Sequence, residues 1–179
     1  MSNHPLGKGE DEGYPKLLSP ILSLLLIALA IFCPPLYLVY RPPKWLIRYL
    51  QRRWPDILWE IPAKKKLVAL TIDDGPSEHT EEILNILREN KATATFFVIG
   101  SYIPGREGVL QRLVQCGNEL GNHAMYDEPS RSLTDAVLRE QLCTVQKTID
   151  EVYATADVGN EPPKYFRPGS GFFSTRMRK

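Results

Sequence analysis

The sequence predicts an α/β domain of parallel strands and crossover helices, preceded by a single transmembrane helix. Three observations carry this expectation. Residues 17–40 form an apolar run without a charged residue. From Leu67 onward, short β-rich apolar runs alternate with helical patterns, the order that builds parallel sheets. Clusters of polar residues follow the ends of those runs, where parallel α/β folds gather functional groups.

Composition narrows the class. At 179 residues the chain is too short for a complete eight-unit barrel, which needs roughly 250. Hydrophobic residues at 43% and charged residues at 24% exclude a disordered or multi-span class. A net charge of +1 excludes a chain that binds nucleic acid by overall charge. Three cysteines do not make a disulfide framework. Cys33 lies in the apolar run, and Cys116 and Cys143 are expected as buried thiols.

Residues 1–16 are polar with mixed charge and are expected to form a disordered tail. Residues 17–40 are long enough to cross a hydrocarbon core of about 30 Å as a helix. Pro34 and Pro35 would kink it, which spanning helices tolerate. A cleaved signal peptide is the alternative, because Ala28-Leu29-Ala30 has the small-x-small form of a cleavage site. The apolar run continues beyond it to Tyr40, which favours an uncleaved anchor.

Residues 41–65 form a basic neck. Through Lys66 it holds Arg41, Lys44, Arg48, Arg52, Arg53, Lys64, Lys65 and Lys66 against Asp56 and Glu60, a local net charge of +6. Trp45, Tyr49, Trp54 and Trp59 are interleaved, a mixture suited to a membrane interface. A solvated linker with a few packing aromatics is the alternative.

Residues 66–179 are the expected α/β domain. Residues 67–72 are the first strand, ended by Asp73-Asp74-Gly75-Pro76. Ser77 is positioned to cap the helix that follows, and Glu78, Glu81 and Glu82 suit the dipole of its first turns. Residues 93–99 are the second strand. Residues 109–116 are a helix stopped by Gly117. Residues 119–122 are the third strand, and Ser132 or Thr134 caps a long helix to about Tyr153. Tyr165-Phe166 is the fourth strand.

This order brings Asp73 and Asp74, then His123 and Asp127, then Arg167 to the C-terminal ends of successive strands. Carboxylates, an imidazole and a guanidinium on one face suit a metal site with acid–base partners. Taken singly, each residue has a plainer explanation, in turn chemistry or a surface ion pair. Their shared placement favours chemistry.

Four segments resemble the polysaccharide deacetylase family, the NodB-homology or family 4 carbohydrate esterase group. They are Thr71-Ile72-Asp73-Asp74-Gly75-Pro76-Ser77, Ala94-Thr95-Phe96-Phe97-Val98-Ile99-Gly100, Glu119-Leu120-Gly121-Asn122-His123 and Phe166-Arg167-Pro168. The resemblance implies a partial (β/α) barrel binding one divalent metal, usually Zn2+. It implies hydrolysis of N-acetyl or O-acetyl groups on a polysaccharide, most simply a chitin-like one. Asp73 matches the general base, and Asp74 and His123 match metal ligands. Arg167 matches the arginine that orients the base, and the N–H of Ser170 falls where the oxyanion would be stabilised.

Adjacent Asp73 and Asp74 would repel without partners. A metal on Asp74 and Arg167 on Asp73 would resolve that repulsion. Where the family has a third ligand, a histidine, this chain has Asp127. A carboxylate is an acceptable ligand, and a turn with Glu128 and Pro129 is the alternative. The loop after Arg167 lacks the family's aromatic, and Phe172 or Phe173 is the candidate replacement.

The family's later segment carries a Leu-x-His acid. The chain stops at Lys179 without it, which reads as an incomplete enzyme of low activity. His4 lies in the tail and His123 is committed to metal. His79 is left as a substitute acid. Two other functions compete: a non-catalytic membrane protein with a sugar- or partner-binding face, and an amidohydrolase of a small linear or cyclic amide.

The expected partners are an acetylated carbohydrate and a membrane, without nucleic acid. Basic residues after the anchor would place the domain in the cytoplasm. A polysaccharide substrate places it instead in the secretory pathway or at the cell surface, the side favoured here. Oligomeric state is not legible.

Overall fold

The computed structural model describes residues 18–64 and 66–178. The expected tail, residues 1–16, lies outside the described residues. The chain divides into two compact units, Met1–Pro62 and Ala63–Lys179.

The first unit holds two helices. Helix α1 spans Leu18–Tyr40 and contains Pro34 and Pro35. Its stretch Leu22–Tyr40 is long and apolar enough to cross a membrane, and none of that stretch is buried. At 19 residues this stretch is roughly 28 Å long. Helix α2 spans Lys44–Arg53 and starts after Pro43, whose extended backbone (φ −69°, ψ 149°) and missing N–H suit a helix entry. Beyond α2, Trp54 and Trp59 stack with centroids 5.8 Å apart. The Trp59 indole N–H donates to the Trp54 carbonyl at 3.1 Å.

The second unit is an α/β fold, as expected. Strands β1 (Thr71–Gly75), β2 (Thr95–Val98) and β3 (Glu119–Asn122) form one parallel sheet in the order β1-β2-β3. Helices α3 (Thr80–Glu89), α4 (Glu107–Gln115) and α5 (Asp135–Ala156) supply the connections and cover. The core joins Phe96 and Val98 of β2 and Leu120 of β3 to Leu84, Leu110, Leu113, Val145 and Ile149 of the helices, all 1% exposed or less. Burying side chains of this size contributes roughly 1.5–3 kcal/mol each, so this cluster is what holds the sheet flat against the helices.

Several expected boundaries shift. The first strand begins at Thr71 rather than Leu67. Leu67 and Val68 are 74% and 94% exposed, and the Leu70 carbonyl joins the sheet by accepting from Thr95 N–H at 3.0 Å. Asp73 and Asp74 thus lie inside β1 rather than after it. The second strand is shorter than expected and starts at Thr95. Ser77 does not cap α3. Its backbone N–H donates to Thr80 Oγ1 at 2.8 Å and its hydroxyl accepts from His79 N–H at 3.2 Å, which makes a separate turn before the helix.

The third strand falls at the expected residues. Thr134 caps α5, accepting from Val137 N–H at 3.3 Å. The fourth strand is reduced to a single parallel bridge between Asn122 and Phe166. Asn122 N–H donates to Tyr165 O at 2.8 Å, and Arg167 N–H to Asn122 O at 3.0 Å. Cys116 and Cys143 are exposed, not buried. On α5 the inward positions are Leu138, Gln141, Val145, Ile149 and Val152, and that spacing turns residue 143 outward.

Candidate functional site

The site begins with an irregularity in β1. Thr71 and Ile72 pair with Thr95 and Phe96, but Gly75 pairs with Val98. Asp73 and Asp74 therefore stand opposite one residue, Phe97, which is a β-bulge. Asp74 is left-handed, with φ 61°. Neighbouring side chains in a regular strand point to opposite faces. The bulge breaks that alternation at the two carboxylates.

Each carboxylate has its own partner. Asp73 Oδ1 accepts from Arg167 Nη1 at 2.5 Å. Asp74 Oδ1 lies 3.2 Å from His123 Nε2. The like-charge problem of the pair is thus answered on the Asp73 side by the guanidinium, as the sequence implied.

Arg167 is held on three sides. Besides Asp73, its Nη1 donates to Thr71 Oγ1 at 3.0 Å. Its guanidinium carbon sits 4.0 Å from the centroid of the Phe97 ring, a cation–π contact. Phe97 can lie there because its ring covers Gly121, where an added Cβ would come within 2.6 Å of the ring.

His123 is buried, with its side chain 8% exposed. Its backbone N–H continues the sheet, donating to Val98 O at 3.0 Å. Its Nδ1 lies 2.6 Å from the Arg167 carbonyl. A carbonyl only accepts, so Nδ1 carries the proton there. In the neutral ring, Nε2 then presents a lone pair toward the Asp74 carboxylate. Two acceptors face each other, and they require a proton or a cation between them. An imidazole fixed in this way by its second nitrogen could hold a metal through Nε2.

Asn122 sets the turn into His123. Its side-chain N–H donates to Leu142 O of α5 at 2.9 Å, and its Oδ1 accepts from Ala124 N–H at 2.9 Å. The turn carries Ala124 in a left-handed conformation, φ 67°. Gln141 of α5 braces the same loop. Its Oε1 accepts from Met125 N–H at 3.1 Å and its Nε2 donates to Glu128 at 2.9 Å.

The loop after Arg167 docks on the loop after His123. Gly169 N–H donates to the buried Ser130 hydroxyl oxygen at 2.9 Å. A Cβ at Gly169 would stand 2.2 Å from the Glu128 carbonyl. Ser170 follows, exposed and left-handed at φ 65°. It lies in a turn closed by Gly171 N–H donating to Pro168 O at 3.0 Å.

Asp127 is not drawn to Asp74 and His123. Among the described residues no group of three or more histidine, cysteine, aspartate or glutamate side chains is placed to hold a metal. Asp127 is exposed at the apex of a tight turn, where Glu128 N–H donates to Tyr126 O at 2.9 Å. His79 is exposed at the start of α3, 3.5 Å from Glu78 and 3.9 Å from Glu82.

Sequence reasoning assigned no role to Thr71, Phe97, Asn122 or Ser130. The first three stood in the quoted motifs, yet their work is done by contacts that local pattern does not encode. Ser130 carried no signal.

Comparison with known proteins gives the family of the domain. The family model described as polysaccharide deacetylase matches residues 60–179. The peptidoglycan-N-acetylglucosamine deacetylase of Bacillus cereus is 30% identical over 124 residues, 69% of this chain and 55% of that protein. The chitooligosaccharide deacetylase of Sinorhizobium fredii is 48% identical over 59 residues, 32% of this chain and 27% of that protein. A family 4 acetyl xylan esterase from Clostridium thermocellum, solved with a cobalt ion, superposes with a TM-score of 0.55 at 29% identity. That match covers 63% of this chain and 53% of the esterase. The chain spans about half the length of the curated relatives it matches.

Proposed function

The chain belongs to the polysaccharide deacetylase family, and on that premise we propose that it contributes the base and metal-binding half of a hydrolase site. The reaction is removal of acetyl groups from an acetylated carbohydrate polymer. Its sheet would then be one arc of the family's (β/α) barrel. An N-acetylglucosamine polymer of the chitin or peptidoglycan kind is the substrate favoured by the names of the relatives.

One observation carries the proposal. Two adjacent carboxylates, placed together by a bulge, are given different partners: Arg167 for Asp73 and His123 for Asp74. That is the division of labour between a base and a ligand.

The donor set suits a divalent cation in kind, because a carboxylate oxygen of Asp74 and Nε2 of His123, both ligand types for such an ion, face each other at 3.2 Å. Asp74 and His123 would hold it, with Asp127 as the third ligand if its turn folds inward. Bound there, such an ion supplies a Lewis acid and an acidified water. Zinc is the proposed metal.

The chain's own residues do the rest. Arg167 pairs with Asp73 and fixes Oδ1. Asp73 remains 40% exposed and takes the proton of the attacking water. The N–H of Ser170 is the proposed donor to the oxyanion. Phe172, 68% exposed, offers an aromatic face to a sugar ring.

Titration calorimetry with Zn2+ and an acetate-release assay on N-acetylglucosamine oligomers and acetylated xylan test this together. Stoichiometric metal binding lost in Asp74→Ala and His123→Ala supports the reading. Acetate release that survives Asp73→Ala, or metal uptake indifferent to both ligand substitutions, defeats it. In the second case a non-catalytic binding role takes its place, the reading favoured by the outward position of Asp127.

Helix α1 is proposed as a single-pass anchor, with the family domain on the lumenal or cell-surface side where polysaccharide is found. Protease protection of the domain in sealed vesicles decides the side.

A further inference from the structure

Helix α2 has no buried residue and no acidic one. At 100° per residue, Lys44, Arg48, Gln51 and Arg52 fall in one sector. Trp45, Tyr49, Leu46, Leu50 and Ile47 occupy the remainder, together with Arg53 at the last position of the helix. Trp45 and Tyr49 are 66% and 59% exposed and lie side by side along one edge of the basic sector. A mainly apolar face interrupted only by Arg53 in the last turn, and a polar face of three basic residues and one glutamine, are the features of a helix that lies in a lipid interface, where a terminal arginine can extend its head to the water.

The connection to α1 adds a second, independent constraint. Only Arg41, Pro42 and Pro43 separate the two helices. Even fully extended, that link lets α2 start no more than roughly 14 Å from the end of α1. If α1 spans a bilayer, α2 starts within that distance of the surface. A basic helix held there meets lipid phosphates before it meets any soluble partner.

We propose that α2 lies parallel to an anionic bilayer surface, with Trp45, Leu46, Tyr49 and Leu50 in the acyl boundary and Lys44, Arg48 and Arg52 among the headgroups. The neck is thereby a second membrane contact rather than a solvated linker. This rests on the reading of α1 as an anchor.

All three tryptophans of the chain lie in this segment, so tryptophan emission reports on it alone. The full chain carrying Trp54→Phe and Trp59→Phe is reconstituted into phosphatidylcholine vesicles with or without phosphatidylserine. In the anionic vesicles Trp45 emission should shift to shorter wavelength. Bromines roughly 5–10 Å below the headgroup boundary should quench it more than bromines at the bilayer centre. High salt, or Lys44→Glu with Arg48→Glu and Arg52→Glu, should remove the anionic increment. The single change Trp45→Phe in the otherwise natural chain should abolish the same spectral response.

Trp45 emission that is equal in the two vesicle types, or indifferent to charge reversal, overturns the proposal. Resistance to alkaline extraction is measured in parallel. A chain that is extracted refutes the anchor. A retained chain with an indifferent Trp45 refutes the α2 reading alone.

Discussion

The carbonyl of Arg167 accepts the Nδ1 proton of His123 at 2.6 Å, so one residue serves both halves of the site. Its guanidinium holds Asp73, and its backbone sets the tautomer of the imidazole facing Asp74. Side-chain and main-chain roles of Arg167 can therefore be separated.

Arg167→Lys keeps the carbonyl and loses the planar fork. Its deacetylase rate should fall by about 10²-fold, while calorimetric Zn2+ affinity stays near that of the parent chain. A parallel collapse of metal affinity would show that the backbone had moved as well.

Thr71→Val removes one acceptor from Arg167 Nη1, which donates to Thr71 Oγ1 at 3.0 Å. A hydrogen bond to a charged group contributes about 1.5–3 kcal/mol, partly offset here by exposure. The expected loss is about tenfold in kcat with KM unchanged, read from steady-state kinetics. A rise in KM alone would assign Thr71 to substrate instead.

Gly169→Ala puts a methyl group against the Glu128 carbonyl, where a Cβ would be 2.2 Å away. Overpacking of this kind costs about 1–3 kcal/mol. The urea midpoint should fall accordingly, and metal affinity should fall with it through the Arg167 carbonyl. Ser130→Ala, which leaves Gly169 N–H without its acceptor, should cost about 1–3 kcal/mol in the same measurement.

Tyr153 is buried and its hydroxyl accepts from Leu120 N–H at 3.3 Å. Burial pushes the phenol above its ordinary value of 10.0. The Leu120 N–H opposes this, and the Glu119 carboxylate adds to it. A raised phenol means that the folded state favours the neutral form. Its contribution is fully present below about pH 10 and is lost as pH rises through the folded value. Urea melts should weaken in that alkaline range, and Tyr153→Phe should flatten the dependence. At neutral pH the same variant should be about 1 kcal/mol less stable.

The parallel order of strands was legible because apolar runs and capping residues are local signals. Glu119–Asn122 and the Thr134 cap fell where expected for that reason. The start of β1 was misplaced because Leu67 and Val68 are β-forming residues that the sheet leaves outside. Asp73 and Asp74 looked like a turn because a bulge uses the same residue types as a turn. The pairing of Asp73 with Arg167 spans 94 residues, and no local periodicity encodes it. It came from motif resemblance instead. The support given by Phe97, Asn122 and Ser130 depends on which surfaces meet after folding.

The seat of Gly169 on Glu128 and Ser130 also governs how the site can be re-engineered. The stretch between His123 and Ser130 and the stretch from Arg167 to Gly169 are tied together at both ends. Lengthening either alone would pull the Arg167 carbonyl off the imidazole. A designer grafting a new sugar-contacting loop should cut beyond Gly171, or exchange the two stretches as a matched pair.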